Sequence, residues 1–159
     1  MDLGIAGKVA MVAAASKGIG LATAKALYAE GCRVSICART EDTLEAAAAE
    51  IGEEVRSYVV DVSDAEDLDW WYEQTKQDIG PVDILVTNTG GPPAGELRSL
   101  EDDQWQAGVD ATLMKSSGWC GLSERTWSHV DGGGSFISLH WLQRSPIQCF
   151  RSPPLFVPV

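Results

Sequence analysis

Two glycines and a lysine follow the first apolar run of the chain, in the segment Ser16-Lys17-Gly18-Ile19-Gly20. Glycine lets the main chain approach a ligand closely, because it has no Cβ and accepts left-handed backbone angles. Where such a turn leads into a helix, unpaired N–H groups and the helix dipole attract anions such as the pyrophosphate of a dinucleotide. A plain strand-to-helix turn can have the same composition, so the surrounding pattern has to decide between the two interpretations.

The segments around this turn alternate between strand and helix. Residues 9–14 are a short uncharged run, typical of a strand buried on both faces of a parallel sheet, and residues 21–30 have apolar groups at helical spacing. Further strands are predicted at 33–38, near 58–62 and near 82–90. This rhythm predicts an α/β protein with a doubly wound, Rossmann-type parallel sheet and right-handed crossovers.

Three later helices are predicted from their capping residues. Thr40 is the expected N-cap of a helix over 41–51 that stops at Gly52, and Ser63 is the expected N-cap of a helix over 64–78. Ser99-Leu-Glu-Asp102 resembles a capping box and predicts a helix through Trp105, Val109 and Leu113. In the second helix, Trp70, Trp71 and Tyr72 are expected to pack on the sheet.

Four segments in register resemble the short-chain dehydrogenase/reductase family. Residues 13–20 are similar to its T-G-x-x-x-G-x-G turn, and a second strand at 33–38 is followed by Arg39 and Thr40. The pair Asp61-Val62 resembles the strand end that lies along the adenine ring in that family. Residues 82–90 resemble its D-I-L-V-N-N-A-G strand, in which the amide and glycine that match Asn88 and Gly90 support the sheet beside the cofactor. The resemblance covers Gly7 to about Met114.

Within that region the chain departs from the family pattern at few positions. Ala13 and Ala14 replace the threonine and the first glycine of the turn, so one added methyl group crowds it. Thr87 and Thr89 replace an asparagine and an alanine of the later strand. Some members of the family tolerate such changes, so the cofactor-binding interpretation is kept.

The charges after the second strand favour NADP over NAD. An NAD site usually has Asp or Glu there to hold the ribose 2′-hydroxyl, whereas this chain reads Cys37-Ala38-Arg39-Thr40. With no carboxylate to repel a 2′-phosphate, the Arg39 guanidinium and the Lys17 ammonium can bracket it. The alternative is that both are solvated surface cations.

The resemblance also implies a catalytic set that this chain lacks. The family uses a tyrosine as proton donor or acceptor, a lysine four residues later, a serine and an upstream asparagine. Thr112 takes the place of the asparagine, and a strand predicted over 134–141 puts Trp141 in the place of the serine. No tyrosine follows Tyr72 and no lysine follows Lys115, so no catalytic residue is assigned.

Tyr72 and Lys76 do have the Y-x-x-x-K spacing, but they precede the Asn88 strand. The interpretation for this pair is a packing tyrosine and a solvated lysine, because catalytic geometry comes from the fold and not from the spacing.

Composition changes where the resemblance ends. Residues 1–114 contain 8 basic and 21 acidic residues, a net charge of −13, whereas residues 115–159 contain 4 and 2, a net charge of +2. The predicted organisation is therefore a dinucleotide-binding part at 1–114 and an atypical tail at 115–159 that does not match the family and leaves the sheet incomplete on its C-terminal side. A reading-frame shift near Lys115 is the favoured explanation and a genuine divergent cap is the rival.

The family resemblance implies hydride transfer between NADPH and a ketone or alcohol, of the 3-oxoacyl-carrier-protein-reductase type, with Gly91-Pro-Pro-Ala-Gly95 near the active-site mouth. The partner implied is a small carbonyl or alcohol substrate, and the missing groups predict an inactive chain. The alternative is a non-catalytic dinucleotide-binding or scaffold protein, or a non-functional remnant.

Net charge, cysteine spacing and the length of the apolar segments limit the partners and the compartment that the sequence allows. The acidic charge argues against nucleic acid and anionic membranes, and the sequence does not indicate an oligomeric state. Cys32, Cys37, Cys120 and Cys149 have no metal-site spacing, which predicts free thiols in a reducing compartment. No apolar segment approaches 18 residues and no secretory leader is recognisable, so a cytoplasmic location is expected.

Overall fold

Parallel strands and helices alternate along the chain in the computed structural model, which describes residues 3–89, 101–109 and 135–139. The strands are β1 (Val9–Val12), β2 (Arg33–Ala38), β3 (Arg56–Val59), β4 (Ile84–Asn88) and β5 (Ser135–Leu139), and the helices are α1 (Gly18–Ala29), α2 (Glu41–Ile51), α3 (Ala65–Asp78) and α4 (Asp102–Val109). The five strands form one sheet in the order β3-β2-β1-β4-β5, and every pair is parallel. The predicted doubly wound α/β fold is confirmed.

β5 lies in the segment that the sequence set apart as an atypical tail. It pairs with β4 from Ile84↔Ser135 to Asn88↔Leu139, so the strand expected over 134–141 is present and belongs to the same sheet. The boundary at residue 114 and the origin of the remaining tail stay predictions.

Both faces of the sheet are covered, which explains the uninterrupted apolar run of β1. Its four residues are all fully buried, and alternate side chains enter different cores. Ala10 and Val12 pack with Leu27 of α1 and Leu44 of α2, whereas the other two residues pack with α3. A strand in this position has no solvent face, so it has no polar alternation.

A buried polar network lies between β2 and α3. The indole N–H of Trp71 donates to Ser35 Oγ at 2.9 Å, and Ser35 Oγ and Thr75 Oγ1 are 2.8 Å apart. All three residues are fully buried. Because a buried polar group costs free energy unless it has a partner, these bonds fix how α3 lies on the sheet.

An ion pair fixes the start of β4 beside β1. Lys8 Nζ lies 2.8 Å from Asp83 Oδ1, while the other carboxylate oxygen accepts the Val9 N–H at 2.9 Å. The Asp83 N–H in turn donates to the Val9 carbonyl. Asp83, in the fourth family-like segment, therefore sets the register between two central strands.

The structure corrects several predicted element ends. β1 stops at Val12, because Ala14 turns into the left-handed region with φ 48°. α1 begins at Gly18, before the expected position 21. α2 has its predicted bounds, although the Thr40 side chain makes no capping hydrogen bond.

Two predicted N-caps were wrong. The N-cap of α3 is Asp64, whose carboxylate accepts the Glu66 N–H at 2.8 Å. Ser63 lies inside a turn that is closed by the Asp64 N–H donating to the Asp61 carbonyl at 2.9 Å, so the helix starts one residue later than predicted. α4 begins at Asp102 with Gln104 Oε1 accepting the N–H of Glu101, so the reciprocal bond of a capping box starts two residues later than predicted. Ser99 and Leu113 lie outside the described residues.

The aromatic run of α3 divides between core and surface. Trp71 and Tyr72 are buried against the sheet as predicted, but Trp70 is half-exposed and meets the ring of Tyr58 on β3 edge to face at 6.0 Å. In the described part of the chain, no helix has the length and apolar character needed to cross a membrane.

Replacing Ser35 by alanine is expected to destabilise the fold by about 1–3 kcal/mol, because the substitution removes the partner of two buried polar side chains. Ser57→Ala in the neighbouring strand is the control, with an expected change below about 0.5 kcal/mol. Urea unfolding followed by tryptophan fluorescence measures both variants. Equal stability of the two would show that the network does not stabilise the α3 interface.

Candidate dinucleotide site

The turn between β1 and α1 lies at the carboxyl edge of the sheet, at the point where the strand order reverses. From β1 the chain runs outward through β2 to β3, and it then returns to β4 on the other side of β1. The crevice at such a point is where doubly wound folds bind their ligands. The Ala13 N–H donates to the Val86 carbonyl at 3.1 Å and the Ala15 N–H to the Cys37 carbonyl at 3.0 Å, so both neighbouring strands hold the turn.

The first turn of α1 is suited to an anion. Lys17 is its N-cap, its side chain makes no capping bond and no acidic residue lies in the first turn. By contrast, the first turns of α2, α3 and α4 each contain two acidic residues. The dipole at the start of α1 therefore has no carboxylate to neutralise it, and Gly18 and Ile19 are exposed beside it.

Gly20 provides the close packing that lets α1 start directly above the sheet. A Cβ on Gly20 would lie 2.5 Å from the Ala14 carbonyl oxygen and 2.7 Å from Asn88 Nδ2. Both distances are too short for a side chain, so only glycine fits here. Asn88 itself is buried at the end of β4 and donates from Nδ2 to the carbonyl oxygens of Ala13 and Ala14, each at 3.2 Å.

Ala14 has the backbone conformation of a glycine. Its φ of 48° makes it the non-glycine residue with positive φ in the described part of the chain. A left-handed backbone costs an L-residue roughly 1–2 kcal/mol. The Ala14 methyl group, which was expected to crowd the turn, therefore also strains the backbone.

Two exposed cations flank the turn. Lys17 precedes α1 and Arg39 directly follows β2, and because these parallel strands are neighbours, both residues lie at the same edge of the sheet. Neither forms an ion pair with another described residue. Both lie at the turn in a chain that is otherwise strongly acidic.

Asp61 and Val62 follow β3 at this edge and are both half-buried. The Asp61 N–H donates to the Asp67 carboxylate at 2.9 Å, and its own carboxylate accepts the Ser63 N–H. The Val60 N–H bonds the Ala38 carbonyl at 3.0 Å, which brings this segment beside the residues that precede Arg39. The ends of four strands, β1 to β4, thus bring the described residues of the predicted cofactor set to one edge.

The family model described as short chain dehydrogenase matches residues 8–116, which is more than half of the chain. The chain belongs to the short-chain dehydrogenase family.

Individual relatives agree with the family assignment. The chain is 36% identical over 99 residues to the 3-oxoacyl-[acyl-carrier-protein] reductase FabG of Haemophilus influenzae, covering 62% of this chain and 41% of that protein. It is 31% identical over 157 residues to the oxidoreductase asL5 of Sarocladium schorii, covering 96% of this chain and 59% of that protein. The crystal structure of L-sorbose reductase from Gluconobacter frateurii, complexed with NADPH and L-sorbose, superposes with a TM-score of 0.75 at 34% identity, covering 87% of this chain and 54% of that one. The chain thus spans about half the length of these short-chain dehydrogenase relatives.

Some residues singled out from the sequence fall outside the described parts of this short-chain dehydrogenase. These are Gly90 of the cofactor set, the 91–95 loop, Thr112, Lys115 and Trp141. The rejected Tyr72–Lys76 pair is described. Tyr72 is 3% exposed, and Lys76 Nζ lies 5.5 Å above its ring and 3.2 Å from a Glu73 carboxylate oxygen. The Tyr72 ring belongs to the core on the α3 face of the sheet, as its position in the chain suggested.

The sequence did not assign Cys37 to the site. This thiol is fully buried at the end of β2, where burial raises its pKa to about 12. Burial also raises the pKa of Cys32, and its thiol donates to the Ile5 carbonyl at 3.3 Å. No local sequence signal marks Cys37. Its place beside the turn follows from the strand register, which aligns Val12 with Ile36.

Replacing Ala14 by glycine is expected to stabilise the fold by about 1 kcal/mol, because glycine adopts the left-handed conformation without the Cβ penalty. The control is Ala15→Gly, which removes a buried methyl group without relieving strain and is expected to destabilise by about 1 kcal/mol. Urea unfolding midpoints give both values. Destabilisation by Ala14→Gly would contradict the assigned backbone conformation.

Proposed function

We propose that this chain is the NADP-binding part of a short-chain oxidoreductase that transfers hydride between NADPH and a ketone or alcohol. The observation that carries the proposal is the uncapped, acid-free first turn of α1 next to Lys17 and Arg39. Among the described helices, only α1 begins without an acidic residue in its first turn. Its start lies where the strand order of the sheet reverses. The L-sorbose reductase that resembles this chain holds NADPH, which supports the same cofactor here.

The residues at this edge fit the separate parts of the cofactor. The N–H groups of Gly18, Ile19 and Gly20, with the backbone at Ser16 and Lys17, are proposed to receive the pyrophosphate. Arg39 and Lys17 hold the 2′-phosphate, because a guanidinium and an ammonium attract it and no carboxylate opposes them. Asp61 and Val62 border the adenine, and Asn88 with Gly90 supports the nicotinamide side.

The bound nicotinamide would supply the hydride or accept it, and the chain's own residues position and neutralise the dinucleotide. The proton for a carbonyl oxygen needs an ionisable group at the reacting end. In these 159 residues no tyrosine follows Tyr72 and no lysine follows Lys115, so we assign no proton donor. The substrate class is a small carbonyl or alcohol compound, and the likeness to FabG favours a 3-oxoacyl compound.

Arg39→Ala is expected to weaken NADPH binding about tenfold and to leave NADH binding within about twofold, because only NADPH has the 2′-phosphate that a charged hydrogen bond would hold. Calorimetry on the full chain measures the dissociation constants of NADPH and NADH for the wild type and each variant. Arg56→Ala is the matched control, since Arg56 is exposed at the opposite end of the sheet. Equal weakening of both cofactors would reject the role of Arg39, and no binding of either would reject the proposed site.

A second candidate is a dinucleotide-binding protein without catalysis, which the missing tyrosine and lysine favour. We expect NADPH oxidation by the chain to stay at the buffer rate when acetoacetyl thioester or L-sorbose is added, because no group is assigned to protonate the product. Absorbance at 340 nm measures it, with bound NADPH verified by calorimetry in the same sample. Turnover above the buffer rate would reject this candidate in favour of a working oxidoreductase with its proton donor elsewhere.

A further inference from the structure

The N–H group of Asp61 points away from the sheet, just beyond the end of β3. Among the described strands, β3 lies at one edge of the sheet and pairs with β2. The Val60 N–H donates to the Ala38 carbonyl beside β2 at 3.0 Å, so the next N–H along the chain faces the other side. On that side of an edge strand there is no neighbouring strand to accept a hydrogen bond.

The carboxylate of Asp67 accepts this N–H in place of a strand. Its Oδ2 lies 2.9 Å from the Asp61 nitrogen. Asp67 is the third residue of α3 and is half-buried, and the next residue, Leu68, is buried in the core together with Trp71. Because α3 is anchored on the sheet by that core and by the Trp71 hydrogen bond to Ser35, the carboxylate holds residue 61 from a fixed support.

The other hydrogen bonds of this turn are local. The Asp64 N–H donates to the Asp61 carbonyl at 2.9 Å, and the Ser63 N–H donates to the Asp61 carboxylate at 2.9 Å. Both bonds lie within residues 61–64, so they set the shape of the turn and not its place on the molecule. The bond to Asp67 differ from them in kind, because it ties the end of the strand to a helix.

We propose that Asp67 is a positioning residue for the adenine end of the dinucleotide, with its carboxylate holding the Asp61 N–H so that residues 61 and 62 keep their place at the carboxyl edge of the sheet. The inference rests on the proposed function, in which Asp61 and Val62 border the adenine. Asp67 itself does not touch the cofactor. It acts through the main chain of residue 61, whose displacement would move both bordering side chains.

The hydrogen bond of Asp67 has to be separated from its charge, since a carboxylate in the first turn of a helix also interacts favourably with the helix dipole. Asp67→Asn removes the charge but keeps an oxygen that can accept the Asp61 N–H, whereas Asp67→Ala removes both. Glu66→Ala is the matched control, because Glu66 is the exposed acidic neighbour in the same turn. Each of these substitutions removes one negative charge, so their general effect on an anionic ligand is the same.

The closing experiment measures three ligands by calorimetry on the full chain: NADPH, NADH and adenosine 2′,5′-bisphosphate. We expect Asp67→Ala to weaken all three about fivefold, because all three contain adenine, and Asp67→Asn and Glu66→Ala to stay within about twofold of the wild type. The bisphosphate lacks the nicotinamide half, so its loss of affinity assigns the effect to the adenine end.

Three results would overturn the inference. Equal losses in Asp67→Asn and Asp67→Ala would assign the effect to charge. A loss for NADPH and NADH but not for the bisphosphate would assign it to another part of the site. Wild-type affinity in Asp67→Ala would reject the positioning role and leave the proposed function standing, whereas a wild-type chain that binds neither dinucleotide would reject both.

Amide hydrogen exchange followed by NMR tests the positioning contact without any cofactor. The Asp61 amide is expected to exchange about tenfold faster in Asp67→Ala than in the wild type. The Val60 amide should keep its protection, because its acceptor is the Ala38 carbonyl, which the substitution leaves in place. Faster exchange at both amides would indicate general loosening of the strand end, and unchanged exchange at both would show that Asp67 does not hold the turn; either result contradicts the inference.

Discussion

The arrangement of the site depends on the burial of β1 between β2 and β4. All four of its residues are inaccessible to solvent, and its hydrogen bonds reach both neighbours. A buried strand cannot shift its register by one residue without exchanging its two cores, so its end point is fixed. Because the glycine turn follows directly, its position relative to Cys37 on one side and Asn88 on the other is fixed by the packing of the sheet centre.

The two cores have different ways of holding their helices. On the face covered by α1 and α2, the contacts are aliphatic, and the ring of Tyr28 lies so close to Gly52 that a Cβ there would overlap it. On the face covered by α3, the aliphatic contacts are joined by hydrogen bonds of buried hydroxyl and indole groups. Hydrogen bonds have narrow geometry, so those between Trp71, Ser35 and Thr75 add an orientational constraint on α3 to the apolar packing.

The sequence predicted the fold well where one local signal acted alone. β2 and α2 have their predicted bounds, because alternate β-branched residues in the strand and a first helical turn rich in acid leave few alternatives. Prediction failed where two side chains competed for one position. Ser63 and Asp64 are both good N-caps, and the turn from Asp61 to Asp64, closed by a main-chain hydrogen bond, puts Asp64 at the helix start. The site followed the same rule: spacing indicated the glycine turn and the cations, but the hydrogen bond from the Ala15 N–H to the Cys37 carbonyl depends on two strands distant in sequence.

The acid-free start of α1 has a kinetic consequence for so acidic a chain. The whole molecule carries a formal charge of −11, which repels an anionic dinucleotide at a distance, while the cations at the turn attract it only at short range. Added salt screens interactions beyond the Debye length, about 10 Å at 0.1 M, before it weakens those at contact. The long-range repulsion is thus removed first, so moderate ionic strength is expected to accelerate the encounter of the dinucleotide with the proposed site. This is the reverse of the electrostatic steering by which most charged sites capture their ligands.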